Sequence, residues 1–193
     1  MVTLLPITTQ AIPYWDSLVS IYRESFPIDE QRPVESIARL ITEEPRYTMY
    51  AIVDDNEEEN EDENSKHNTL NTKQPIGLLT TWFFDEFIYI EHFAIDPELR
   101  SQGYGSKAMS TFIKQQGKPI VLEAEPPTDE LTRRRIRFYE RQGLTLYDFP
   151  YLQPAYTEAS QPVELRLMGT LDIHATLLPH VSVTLHREVY GEK

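Results

Sequence analysis

The stretch "FAIDPELRSQGYGSKAM", residues 93–109, joins an extended apolar run to a helical pattern through a loop of small residues. Phe93, Ala94 and Ile95 end the run, and Asp96-Pro97 breaks it. Gly103, Gly105 and Ser106 then lead into Ala108, Met109, Phe112 and Ile113, which recur on one helical face, with Gly117 as terminator. A helix N-terminus leaves about four N–H groups unpaired and carries a partial positive charge, so its natural guest is an anion. Glycines at 103 and 105 remove Cβ atoms that would hold such a guest off, and Arg100 and Lys107 add charge. Two nucleotide loops fit poorly. The nucleoside-triphosphatase loop needs Lys followed by Ser or Thr, whereas "GYGSK" places Ser before Lys. A dinucleotide loop would take Ala108 as its third small residue, but Glu123 and Glu125 on the next strand are followed at once by Pro126.

Working outward, residues 2–7 predict a strand, 9–25 a helix and 34–44 a second helix, with Pro27 and Pro33 punctuating between them. Strands are predicted at 46–53, 75–84 and 86–95, a helix over 102–116 and a strand in "KPIVLEAE". Thr128 or Asp129 can cap a helix that runs to Gln142, and Gly143 suits its left-handed terminator. Two further strands follow in "LTLYDFPYL" and "PVELRLMG", and the tail pattern favours a helix over "LLPHVSVTLHREVY". The order is β-α-α-β-β-β-α-β-α-β-β, a mixed α/β (α+β) domain with one β-α-β crossover.

The 193 residues suffice for one hydrophobic core. The net charge of −13 argues against general binding to nucleic acid or to anionic membranes. Eight acids crowd into "DDNEEENEDE", residues 54–63, and 54–74 is too polar to offset its ordering entropy, so it is expected to be a flexible insertion. The absence of cysteine excludes disulfides, a thiolate nucleophile and cysteine metal sites. No basic-then-apolar leader and no apolar run of roughly 18 residues is present, which points to a cytoplasmic protein.

The 93–109 stretch, as strand, Asp-Pro, R-x-x-G-x-G and amphipathic helix, resembles motif A of the GNAT superfamily of N-acetyltransferases. "RIRFYERQGL", residues 135–144, resembles the motif B helix of the same family, at a fitting distance with one strand between. The resemblance covers most of the chain. It implies a central mixed, mostly antiparallel sheet of six to seven strands, splayed at the motif A strand and flanked by about four helices. The GNAT domain would occupy 1–170, and 171–193 would be a C-terminal extension, helical in part. It further implies acetyl-CoA as cosubstrate, no metal, and direct transfer of the acetyl group to a primary amine. The pyrophosphate would rest on the backbone of Arg100, Ser101, Gln102, Gly103, Tyr104, Gly105 and Ser106, and the pantetheine arm along Phe93, Ala94 and Ile95. Thr132, Arg135 and Phe138 occupy the motif B positions that face the cofactor. Many relatives have Asn and Ala where this chain has Thr132 and Arg135, a departure that keeps a second reading open: an acyl-CoA-binding sensor or interaction module of the same fold. A homodimer is an assembly the resemblance allows.

Acetyl transfer from a thioester needs a proton acceptor for the amine, a donor for the carbonyl oxygen and a donor for the leaving sulfur. Tyr139 matches the motif B tyrosine, and a phenol suits the last role. The oxyanion donor would be a backbone N–H near Phe93–Ile95. Glu91 shares a strand face with Phe93 and Ile95, so apolar neighbours should raise its pKa, and it ranks first as base. Glu123 and then Glu125, alternating with Val121, Leu122 and Ala124, rank next. His92 faces the other way. Arg133, Arg137 and Arg141 recur every four residues and need acids such as Glu130 or Glu140, or a ligand phosphate, to offset their repulsion. Acceptor-side candidates are Phe26, Asp29, Glu30 and Arg32 in one loop and Phe149, Tyr151 and Tyr156 in another, a set that suits a cationic amine.

Overall fold

The computed structural model describes residues 1–55, 74–170 and 177–191, so most of the acidic insertion expected at 54–74 lies outside the described residues. The elements are β1 (Val2–Ile7), α1 (Trp15–Ser25), α2 (Val34–Glu43), β2 (Tyr47–Asp54), β3 (Gly77–Phe83), β4 (Ile88–Ile95), α3 (Tyr104–Gln115), β5 (Ile120–Ala124), α4 (Glu130–Arg141), β6 (Leu144–Gln153), β7 (Val163–Thr170) and α5 (Leu178–Thr184). A π-helical turn, Leu185–Val189, continues α5. The strands form one seven-stranded mixed sheet in the order β1-β2-β3-β4-β5-β7-β6. β4 and β5 are parallel, joined through α3 as a β-α-β crossover, whereas β1–β2, β5–β7 and β6–β7 are antiparallel. Pro6 and Pro150 both lie on the two outermost strands, where a missing N–H costs no ladder bond with a further neighbour.

The described residues divide into two compact units interleaved along the chain. The first is Met1–Ser25, Val34–Thr81 and His92–Gln115, and the second is Phe26–Pro33, Trp82–Glu91 and Gln116–Lys193. Strands β3 and β4 contribute residues to both.

In the first unit β1 pairs with β2 from Val2↔Asp54 to Ile7↔Met49, and α3 packs on β1. Val2, Ile52, Ile76, Ile95 and Ala108 form a buried cluster, flanked by Leu4, Phe93, Leu99 and Tyr104. Gly77 is required by close approach: a Cβ there would lie 2.4 Å from the carbonyl oxygen of Ala94. Helix α1 starts at Trp15 instead of the 9–25 span that apolar spacing predicts. Pro13 lacks an N–H and biases its predecessor away from helix, so Ile12–Tyr14 form a turn whose carbonyls take the first bonds, from Trp15 and Leu18. His92 is buried between Tyr22, whose hydroxyl is 3.2 Å from Nε2, and Thr80, whose Oγ1 is 3.1 Å from Nδ1.

In the second unit the β4–β5 ladder is three pairs long, Ile88↔Ile120 to Ile90↔Leu122. β4 continues to Ile95 and β5 to Ala124. β5 pairs with β7 as far as Ala124↔Arg166, and β6 follows β7 with a register shift between Leu146 and Pro150. Helix α4 packs against β5 and β6. Its start is fixed by a capping box: Asp129 accepts from the Thr132 N–H at 2.8 Å, and the Thr132 hydroxyl accepts from the Asp129 N–H at 3.1 Å.

Candidate active site

The loop before α3 belongs wholly to the first unit. Asp96 caps a short 3-10 turn, Pro97–Leu99, by accepting from the Glu98 N–H at 2.9 Å. Arg100 then reaches back: its Nε donates to the Ile95 carbonyl at 3.0 Å and its Nη2 to the Ser25 hydroxyl at 2.9 Å. Ser101 and Gly103 both take left-handed backbone, with φ of 67° and 85°. No heavy atom lies within 4 Å of a Cβ built on Gly103, so glycine is needed there for its conformation and not for space. The Lys107 N–H bonds the Gly103 carbonyl at 3.1 Å, which starts the intrahelical ladder of α3. The amides of Tyr104, Gly105 and Ser106 precede that bond, in the positive end of the helix dipole. Ala108, Met109 and Phe112 bury the opposite face and hold the loop against the sheet.

The carboxylates lie in the second unit, and they are not equivalent. The Glu91 side chain is 0% exposed. Its Oε1 accepts from Arg32 Nε at 2.9 Å, Arg32 Nη2 at 2.7 Å and the Tyr156 hydroxyl at 2.9 Å, and its Oε2 accepts from Trp82 Nε1 at 2.9 Å. The Arg32 guanidinium lies 4.6 Å from the Tyr156 ring centre and 5.8 Å from that of Trp82, and it also donates to the Val189 carbonyl at 2.9 Å. Such a set of donors stabilises the charged carboxylate.

Glu123 is held otherwise. Its Oε2 accepts from the Tyr190 hydroxyl at 2.8 Å, and that hydroxyl lies 3.0 Å from the Tyr89 hydroxyl. Its Oε1 is shut off from solvent and accepts no hydrogen bond. Burial pushes the Glu123 carboxyl up to about 7; the hydroxyls of Tyr151, Tyr190 and Tyr89 oppose that rise, and the negative Glu91 adds to it. Burial also lifts the Tyr89 and Tyr190 phenols well above their ordinary value, so both remain donors.

On α4, Tyr139 is buried, and desolvation pushes its phenol up to about 12 against the pull of Arg135. Phe138 packs edge-on against it. Thr132 is buried, and its hydroxyl serves the capping box. Three of the α4 arginines pair with acids: Arg135 with Glu125, Arg137 with Glu130 at 2.6 Å, and Arg133 with Glu130 at 3.7 Å.

Of the residues singled out in the sequence, Phe93, Ala94, Ile95 and Arg100–Ser106 fall in the first unit, and Glu91, Glu123, Glu125, Thr132, Arg135, Phe138 and Tyr139 in the second. Arg32 and Tyr156, read as acceptor-side residues, converge on Glu91. Sequence reasoning missed Trp82, Tyr89 and Tyr190. The first two carry a usable signal: Tyr89 shares a β-strand face with Glu91, and Trp82 lies on the preceding strand of a hairpin. Tyr190 carries none, since its side chain meets Tyr89, Glu123 and Tyr156, all distant in sequence. Among the described residues no group of three or more His, Cys, Asp or Glu could hold a metal ion, and no helix is long and apolar enough to cross a membrane.

The sheet is mixed, and its β-α-β crossover runs from β4 through α3 to β5, with the first-turn amides of α3 at the end of the Gly103 loop. The chain matches the acetyltransferase (GNAT) family over residues 15–144 and belongs to it. It is similar over 99% of its length, and 99% of the other chain, to a solved structure from Bacteroides thetaiotaomicron assigned as a GNAT-family acetyltransferase, at 34% identity and a TM-score of 0.85. It is 39% identical over 61 residues to the Bacillus subtilis (strain 168) protein described as acetyltransferase YjbC, a match spanning 31% of each chain. Arabidopsis thaliana NAA60, solved in complex with acetyl-CoA, shares the fold at 15% identity and a TM-score of 0.58, over 88% of this chain and 97% of that one.

Proposed function

We propose that the chain transfers the acetyl group of acetyl-CoA to a primary amine by direct attack, in the cytoplasm. The observation that carries this reading is the α3 loop. Left-handed backbone at Ser101 and Gly103 delivers the first-turn amides of α3 toward an anion, and Arg100, tied to the Ile95 carbonyl, adds a fixed positive charge. A fold neighbour was solved with acetyl-CoA, which supports a coenzyme A pyrophosphate as that anion. The pantetheine arm would run along Phe93–Ile95, and a backbone N–H there would hold the thioester oxygen.

The reaction forms an N–C bond to the acetyl carbon, breaks the C–S bond and releases coenzyme A as its thiolate. The amine must give up a proton. Glu123 is the better acceptor for it, because its Oε1 has no donor and burial brings its pKa to about 7, near the working range. Glu91, held as an anion by Arg32, Trp82 and Tyr156, would position the Arg32 loop and lend negative charge. Tyr139, with a pKa of about 12, stays protonated and would donate a hydrogen bond to the departing sulfur without giving up its proton fully. A thiolate of pKa about 8.5 is too weak a base to take it. Two runs, Phe26–Pro33 and Phe149–Tyr156, supply aromatic rings and acids that suit a cationic acceptor.

Thiol release from acetyl-CoA across a panel of polyamines, amino acids, aminoglycosides and peptide amines tests this reading. Turnover with at least one amine is the expected result. Binding of acetyl-CoA with no turnover on any amine would leave the chain as a binding module and refute the proposal.

A further inference from the structure

The family match ends at residue 144, yet the C-terminal segment beyond α5 enters the carboxylate cluster directly. Tyr190 reaches Glu123 Oε2 at 2.8 Å and the Tyr89 hydroxyl at 3.0 Å, and its ring lies 5.1 Å from that of Tyr156. One residue earlier, the Val189 carbonyl accepts from Arg32, the cation that neutralises Glu91. Leu178, Val181, Leu185 and Val189 are buried along the helical segment, so these contacts are anchored and do not dangle. Both carboxylates therefore depend on one short segment of chain.

We propose that Tyr190 is a positioning residue for the proton acceptor: its hydroxyl fixes the orientation of Glu123 and sets the pH at which that carboxylate becomes a base. This rests on the assignment of Glu123 as proton acceptor made above. The ionisable groups facing Glu123 are Tyr89 and Glu91 from β4, Tyr151 from β6 and Tyr190 from the C-terminal segment. Tyr156, in the β6–β7 connection, bonds Glu91 and leans on the Tyr190 ring, and His186 leans on Tyr151. The Tyr190 hydroxyl bonds Glu123 Oε2 at 2.8 Å, and a donor to a carboxylate favours the charged form; the Tyr151 and Tyr89 hydroxyls act in the same direction. The Tyr190→Phe change removes that bond and keeps the ring.

The test titrates the Glu123 side-chain carboxyl by carbon NMR in the full chain carrying labelled glutamate, with Glu123→Gln to assign the signal. The parent protein should titrate near neutrality. In Tyr190→Phe the midpoint should rise by about one unit, a roughly tenfold weaker acid. A 3-fluorotyrosine at position 190, a stronger donor of nearly the same shape, should move it the other way and covers the case in which Tyr190→Phe fails to fold. If amine acetylation is detected, the midpoint of kcat/KM against pH should follow the same shifts, which a merely structural role would not produce. An unchanged Glu123 midpoint in a folded variant overturns the proposal. Shifted midpoints in a protein that acetylates no amine leave the Tyr190–Glu123 coupling standing and sink the catalytic reading instead.

Discussion

Replacing Glu123 by Gln should stabilise the protein at neutral and alkaline pH, and by an amount that depends on pH in one direction. Glu123 is raised from an ordinary 4.5 to about 7, chiefly by burial. Between those values the folded chain binds more protons at this site than the unfolded chain does. Stability therefore falls as pH rises through this window, and above about 7 the whole penalty of a buried charge is present. The shift is about 2.5 units, which at about 1.4 kcal/mol per unit amounts to about 3 kcal/mol. A Gln side chain cannot ionise, and its amide oxygen can still accept from Tyr190. The stability difference between variant and parent should thus be flat below about pH 4.5, climb to about 3 kcal/mol by about pH 8, and level off. Urea midpoints measured across that range give the curve directly. Thermal midpoints should separate by roughly 6–12 °C at the alkaline end, at about 2–4 °C per kcal/mol for a chain of this size. Parallel curves for parent and variant, with no divergence between about pH 4.5 and 7, would refute the reasoning that a desolvated carboxylate sits at this position.

Glu91→Gln should do the opposite, since it breaks a buried ion pair and strands the Arg32 guanidinium: a loss of about 3–5 kcal/mol in urea titrations at neutral pH. If that variant were as stable as its parent, the Arg32–Glu91 pairing would carry no weight in the fold. Gly77→Ala should cost about 1–3 kcal/mol, because the added methyl meets the Ala94 backbone carbonyl at 2.4 Å and cannot be accommodated by a side-chain turn. It should also weaken acetyl-CoA binding in calorimetry, since the displaced strand is the one assigned to the pantetheine arm; unaltered affinity in a destabilised variant would detach that arm from Ala94.

The strand, loop and helix of 93–109 were legible because their physics is local. A strand, a Pro break, two glycines and an amphipathic helix follow one another within 93–109, and each constrains the next. The capping of α4 was legible for the same reason, with Asp129 and Thr132 only three residues apart. The acid–base side was not. Strand alternation puts Glu91 and Glu123 on comparable faces, and nothing near them in sequence says which one is neutralised. The answer comes from Arg32, 59 residues before Glu91, and from Tyr190, 67 residues after Glu123. Such pairings depend on topology, and apolar neighbours in sequence do not reveal the four donors that hold Glu91. The start of α1 was misplaced by a smaller effect, the backbone restriction of Pro13 overriding a helical apolar spacing.

The most direct test of the central claim is calorimetric titration of the full chain with acetyl-CoA, beside a Gly103→Ala variant. A left-handed residue at φ 85° with open space around it should make the Ala change cost about 1 kcal/mol in backbone strain alone and leave the fold intact. One saturable acetyl-CoA site per chain is expected, with a clear loss of affinity in the variant. No binding to the parent protein, or binding that the variant leaves unchanged, would contradict it.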